Sequence, residues 1–265
     1  MSLTFRRSVA ATALLALAAC AGDSAPTRTL SDGDLLTLAE IDPALGAEAG
    51  QAGQIGITMD PAHTYDGRIG DQASCAWSAA SLRIECAPVT RDGLTITRSI
   101  AFATAAGTAQ QRRDENTRSA NTRIDVRGTT TTPRGAMTVA RASDLTVSGL
   151  GRGATTHTLN GTESGRVSGT VTTDRGSVNV AEESSSRTAS VVVPVPAARG
   201  SWPLSGTTTR AGTTTATHVG TSTTRSSSWS ETITWNGTSS VQVTITRDGV
   251  TRSCTRDLAV KRAGC

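Results

Sequence analysis

From about Ile55 onward the chain alternates: short runs in which every second residue is apolar are broken by glycine and asparagine. That is the period of half-buried strands joined by tight turns. Around the first cysteine pair, a turn centred on Ala80-Ser81 sets Cys75 opposite Cys86 and Trp77 opposite Ile84, so a disulfide and an apolar contact share one hairpin face. Thr90-Arg91-Asp92-Gly93 follows, and the same tetrapeptide recurs at Thr246-Arg247-Asp248-Gly249. Aspartate followed by glycine between alternating runs signals a hairpin. In the first copy a three-residue loop puts Leu82, Ile84 and Cys86 on the face of Leu94, Ile96, Ile100 and Phe102. In the second, a two-residue loop joins Val241, Val243 and Ile245 to Val250, Cys254 and Leu258. Asn160-Gly161 and Asn236-Gly237 predict two further hairpin turns.

Other stretches carry little apolar signal. Between Gln110 and Arg134 only Ile124 and Val126 stand out, and from Thr207 to Ser228 polar β-formers fill both alternating faces. A strand without an apolar face is either a solvated extension of a sheet or a disordered stretch; we expect long antiparallel strands that project past the buried part. Val191 to Pro196, with Pro194 and Pro196, reads as an edge strand or connector. The pattern as a whole predicts an all-β fold, one large curved antiparallel sheet (a meander or half-barrel) with long hairpins over residues 54–265.

The start of the chain differs. Arg6-Arg7 precede an apolar run from Ser8 to Ala19, about a dozen residues where a spanning helix needs about 20, so residues 1–19 read as an export signal. Leu17-Ala18-Ala19-Cys20 resembles the lipobox of bacterial lipoproteins. That resemblance implies cleavage before Cys20, acylation of its thiol and attachment to a membrane, with several acyl chains holding far more firmly than one. Ala21 in place of aspartate after the cysteine favours the outer membrane. Residues 20–53, rich in Ala, Gly, Asp and Ser, read as a lipidated flexible tether.

Composition supports the β reading. Hydrophobic residues make up 36% and aromatics 3% of the chain, which leaves a thin core. Threonine supplies about one residue in six and suits pleated strands. Charge is uneven: from Ala21 to Asp60 there are seven acids and one arginine, whereas beyond Asp60 there are 23 basic and 15 acidic residues. Almost all the positive charge is arginine, with Lys261 the one lysine. Such a body could meet a polyanion; we favour arginines that keep strand edges from pairing with other molecules. We expect no nucleic-acid partner. The even set Cys75, Cys86, Cys254 and Cys265 fits disulfides in an oxidising compartment, with the three possible pairings open.

Candidate chemistry is sparse. His63, His157 and His218 lie far apart, no close Cys-x-x-Cys pair suggests zinc, and no Gly-x-Ser-x-Gly or Ser-x-x-Lys supplies a nucleophile. Asp60, Asp66 and Asp71 lack the spacing of a calcium loop, and Gly149 to Gly153 reads as a turn rather than a phosphate cradle. We therefore expect no metal, no cofactor and no enzyme. Trp229, Ile233 and Trp235 share one strand face; with Trp202 the tryptophans form either core or a ligand surface.

The stretch from Trp235 to Val250 with the cysteines behind it looks like the C-terminal part of threonine-rich bacterial lipoproteins. It covers about a tenth of the chain and implies no activity. The sequence thus predicts a membrane-anchored envelope lipoprotein acting as a structural or binding module. The alternative is a lipid- or glycan-binding carrier that uses the concave face of the sheet. Aromatic girdles and a lipid-facing apolar band are missing, so a transmembrane barrel is not expected.

Overall fold

The computed structural model describes residues 75–173, 176–195 and 201–258. The signal, Cys20, the tether, His63, the three early aspartates and Cys265 all lie outside them. The described chain forms strands and no helix: β1 Cys75–Ser78, β2 Arg83–Arg91, β3 Leu94–Thr104, β4 Ala109–Gln110, β5 Thr117–Thr132, β6 Gly135–Ser148, β7 Thr156–Thr173, β8 Gly176–Pro194, β9 Ser205–His218, β10 Thr224–Thr234, β11 Ser240–Arg247 and β12 Val250–Asp257. They make one open antiparallel sheet in which every strand pairs with its neighbours in sequence; only the short β4 leaves the path, on β3. This is the predicted all-β meander with long hairpins.

Directly paired residues of antiparallel strands point to the same face, so the register sorts the side chains. One continuous row runs Trp77, Ile84, Ile100, Thr122, Leu145, Gly161, Thr188, Thr208, Ile233, Val243, Cys254. We call this the inner face. It carries both apolar clusters. Ile84, Ile100, Phe102, Ala120, Val147 and Leu150 pack at one end of the central strands, with Trp77 and Leu159 against them. Met137, Val171, Val178, Val180 and Ala216 pack at the other.

The outer face is hydroxylated. Thr129 meets Thr138 (3.2 Å), Thr215 meets Ser226 (3.3 Å), Thr217 meets Thr224 (2.9 Å) and Thr246 meets Thr251 (2.8 Å), each across a ladder. These cross-strand pairs satisfy hydroxyls where no apolar neighbour is available, and the stretch from Thr207 to Ser228 forms the β9–β10 hairpin. Arginines of the central strands pair with carboxylates across the ladders, as in Arg123–Asp144 at 2.8 Å and Arg166–Glu183 at 2.6 Å, and the edge strand β12 carries Arg252 and Arg256.

The hairpin around Ala80-Ser81 has the predicted register and the disulfide Cys75–Cys86. The first Thr-Arg-Asp-Gly differs. Arg91 pairs with Leu94, so its loop has two residues, with Asp92 and Gly93 both at positive φ (51° and 80°). The apolar face is restored upstream, by a bulge between Cys86 and Val89 at Ala87-Pro88. Pro88 has no N–H to give a ladder, so a bulge is the place for it. The second copy has the two-residue loop predicted, with Arg247 opposite Val250.

Asn160-Gly161 is not a turn. It lies inside β7, where Asn160 Oδ1 accepts the Ser190 N–H (2.8 Å) and holds a bulge in β8 at which Ser190 has φ 50°. Asn236-Gly237 does turn, within the longer connection from β10 to β11. Val191 and Val193, read as edge or connector, are 3% exposed in central β8. Pro194 is accommodated because β9 starts opposite Val192, at Ser205, leaving that side of the strand end without a ladder.

Candidate functional site

Beside β6, the inner-face glycines of β7 leave room for large neighbours. Gly161, Gly165 and Gly169 lie directly opposite Leu145, Arg141 and Met137. A Cβ on each glycine would stand 2.8 Å from Leu145 Cδ1, 3.3 Å from Arg141 Cγ and 2.7 Å from Met137 Sδ. The three β6 side chains therefore lie down across β7 instead of standing up from the sheet.

Two adjacent rows of this face then define a groove. The first runs Leu145, Gly161, Thr188, Thr208, Ile233, with Leu159, Val191 and Trp235 one step beyond it. The second, two residues along each strand, runs Ser143, Glu163, Ser186, Arg210, Glu231. Residues of both rows, with Trp202, Pro203, Arg256 and Leu258, line a groove of about 530 Å³. Its volume falls in the range of small-ligand sites.

Several backbone contacts hold the aromatic wall. Leu204 N–H donates to Val192 O (2.7 Å) and Gly237 N–H to Pro203 O (2.8 Å), fixing the segment that carries Trp202. Trp235 Nε1 donates to Thr208 Oγ1 at 3.0 Å. Its one polar atom is thus satisfied within the protein, and the ring offers an apolar surface. Both tryptophans are half-buried rather than packed away.

Charged groups at the other side of the groove meet in pairs. Arg256 on β12 reaches over β11 to Glu231 on β10 at 3.2 Å, and Arg141 lies 4.0 Å from Glu163. Val241 and Val243 of the intervening β11 are 0% exposed. The pair of Arg256 with Glu231 therefore closes over the β11 valines on the inner face.

A second hollow, of about 1020 Å³, lies chiefly on the outer face, lined among others by Glu85, Arg123, Asp125, Asp144, Ser164 and Arg187. A twisted sheet is saddle-shaped, so each face has a hollow along one diagonal. Partial burial works to raise the Asp144 carboxyl, but hydrogen bonds from Asn121 and Arg123 and the charges of Arg123 and Arg83 outweigh it and hold the group below the usual carboxylate range. Arg83 is 8% exposed; its Nε donates to Ser99 Oγ (2.8 Å) and Nη2 to the carbonyls of Ser99 and Asn121, and burial lowers its pKa. Burial likewise lowers Arg98, whose Nε has no hydrogen-bond partner among the described residues.

Of the predicted ligand surface, Trp202 and Trp235 come together, while Trp229 lies elsewhere, its ring over Gly212 at 2.9 Å from where a Cβ would stand. Cys254 is disulfide-bonded; since Cys75 and Cys86 pair with each other, its partner lies beyond the described residues. His157 lies on a strand face of β7 and is 7% exposed, and neither it nor His218 lines either hollow. The reason for its burial is register: His157 shares the inward parity of Leu159. Gly149 to Gly153 forms the β6–β7 turn, and Leu150 within it is a core residue at 6% exposure. Among the described residues no cluster of His, Cys, Asp and Glu could hold a metal, and no helix is long and apolar enough to cross a membrane.

Sequence reasoning missed Arg141, Glu163, Arg210, Glu231 and Arg256 as a group. A signal was available, because each shares the parity of apolar residues on its own strand: Glu163 with Leu159 and Val167, Glu231 with Trp229 and Ile233. A charge at an inward position is the informative exception to alternation. Comparison with protein-family models, curated proteins and solved structures found no match to the chain.

Proposed function

We propose that the chain is a membrane-anchored envelope lipoprotein whose sheet serves as a non-enzymatic binding module, with the inner-face groove as its ligand site. The lipobox-like Leu17-Ala18-Ala19-Cys20 supports the anchor, and Ala21 after it supports an outer-membrane location. The groove carries the binding half of the reading, because Trp202 and Trp235 border its space of about 530 Å³ with half-buried rings instead of packing into a core. Twist alone leaves a hollow on either face; the indole wall is what sets this one apart. The same observation favours a lipid or glycan carrier over a polyanion binder, since the arginines bordering the groove face carboxylates.

The test uses protein purified from its own cells. Mass spectrometry of the N-terminal peptide is expected to find acylated Cys20, and Cys20→Ser is expected to move the protein from the membrane to the soluble fraction. An unacylated chain still carrying Met1 would remove the anchor. Solvent extraction of the same material is expected to release a small molecule that Trp235→Ala protein lacks; an empty wild-type groove would return the sheet to a structural role.

A further inference from the structure

The groove is polar along one side and apolar along the other, and the change runs the same way on four strands. On β7 it goes from Leu159 through Gly161 to Glu163, and on β8 from Val191 through Thr188 to Ser186. On β10 it goes from Trp235 through Ile233 to Glu231. β6 repeats it, as Leu145 to Ser143, in register with the others, while β9 is polar at both positions, Thr208 and Arg210. Successive inward residues stand about 6–7 Å apart along a strand, so Leu145 and Ile233 lie roughly one sugar-ring depth from the charged row, and the wall of Leu159, Val191 and Trp235 about twice that. An occupant must change character over that distance.

The charged row decides the headgroup. Arg210 and Arg256 offer only donors, and Glu163 and Glu231 offer only acceptors, two of each at inward positions; Asp144 also borders the groove, but its register position is outward and its carboxylate is held by Asn121 and Arg123. A phosphate or sulfate entering there would meet two carboxylates, and a quaternary ammonium would meet two guanidiniums. A hydroxyl donates and accepts at once, so a polyol matches such a mixed row without leaving a buried charge unpaired. Thr188, Thr208 and Ser186 continue the hydroxyl-compatible lining toward the apolar wall.

We propose that this groove takes a neutral glycolipid-like amphiphile, its sugar held by Glu163, Arg210, Glu231 and Arg256 and its alkyl chain laid along Leu145, Leu159, Val191 and the two tryptophan rings. The assignment rests on the binding-module reading and specifies its ligand class. Trp202 and Trp235 report occupancy directly, because an alkyl chain against the indoles changes their emission.

The full chain is titrated with n-decyl maltoside below its micelle concentration, and then with maltose, n-decyl sulfate and n-decyltrimethylammonium, each competing with the maltoside. The expected result is saturable binding of the maltoside, with every competitor weaker by at least about tenfold, the loss expected when a charged hydrogen-bonding partner or the whole apolar contact is missing. Glu231→Gln is expected to weaken the maltoside by about tenfold and to narrow its advantage over decyl sulfate, whereas Thr215→Ala on the outer face changes neither. Equal or tighter binding of either ionic amphiphile would overturn the neutral headgroup and leave the groove standing. Maltose binding as tightly as its alkyl derivative would overturn the amphiphile in favour of a plain glycan. No binding of any probe to folded wild-type protein would sink the groove reading itself. The wild-type competitions decide among these outcomes even if a variant fails to fold.

Discussion

Met137 and Gly169 face each other across the β6–β7 ladder, and the methionine sulfur occupies the space the glycine leaves. In an ordinary strand, glycine to alanine is stabilising, because it removes backbone freedom from the unfolded chain. Here the sign reverses. A Cβ on Gly169 would stand 2.3 Å from the Ala136 carbonyl oxygen, and Met137, 1% exposed, has no room to retreat. Gly169→Ala is expected to cost about 1–3 kcal/mol, read as a lower urea midpoint at unchanged slope. Gly165→Ala, whose new Cβ meets only side-chain atoms at 3.2 Å or more, should cost less. Equal midpoints for the two variants would contradict the crowding account.

The two Thr-Arg-Asp-Gly turns share geometry but not wiring. Asp92 and Asp248 both have positive φ, 51° and 48°, so alanine introduces the same backbone strain in each. Asp248 additionally accepts from Ser228 N–H (2.8 Å) and Ser227 Oγ (3.0 Å), tying the β11–β12 turn to β10, while among the described residues Asp92 pairs with the exposed Arg91 beside it. Asp248→Ala should therefore lower the melting temperature more than Asp92→Ala. Matching losses would show that the turn alone matters.

Acid should loosen the middle of the sheet through Asp144. Its folded-state pKa is depressed, so its contribution is present above the unfolded value of about 4. It is lost as pH falls further, through the lower folded value. Stability measured from pH 6 downward is expected to fall more steeply in the wild type than in Asp144→Asn, with the two curves drawing together below about pH 4. Parallel curves would mean that Asn121 and Arg123 contribute nothing through this carboxylate.

The Cys75–Cys86 bond closes a short loop at the sheet edge, with a sequence separation of 11. On the chain-entropy account such a loop stabilises by about 2–3 kcal/mol. Cys75→Ser with Cys86→Ser is expected to lower the unfolding free energy by that amount and to expose the β1–β2 amides to hydrogen exchange ahead of the central strands. Uniform loss of protection throughout would show that the edge hairpin and the centre unfold as one unit.

Local pairing was legible in the sequence where a turn sat between apolar runs. Trp77 opposite Ile84, and Val243 on the face of Cys254, both follow from counting outward from the turn. Bulges were not legible. The extra residue at Ala87-Pro88 and the one near Ser190 each shift a strand by one position while changing no hydrophobic residue, so the loop length at Asp92-Gly93 was misjudged to compensate. Asn160-Gly161 misled for a related reason. Asparagine and glycine are chosen there for a bond to Ser190 and for the space beneath Leu145, two needs that leave the same letters as a turn. Of the groove, the pairing of Trp202 with Trp235 was accessible only as a possibility, because they come from segments separated by the whole of β9 and β10.

Because each long strand lies beside the one made just before it, the sheet can lengthen by one hairpin at a time. Among the described strands none waits for a distant partner, so the entropic toll of closing large loops stays small. A chain feeding out of a narrow opening could lock each finished strand onto the one before it like teeth in a zip, and once β10 and β11 are joined β12 swings Arg256 back to Glu231.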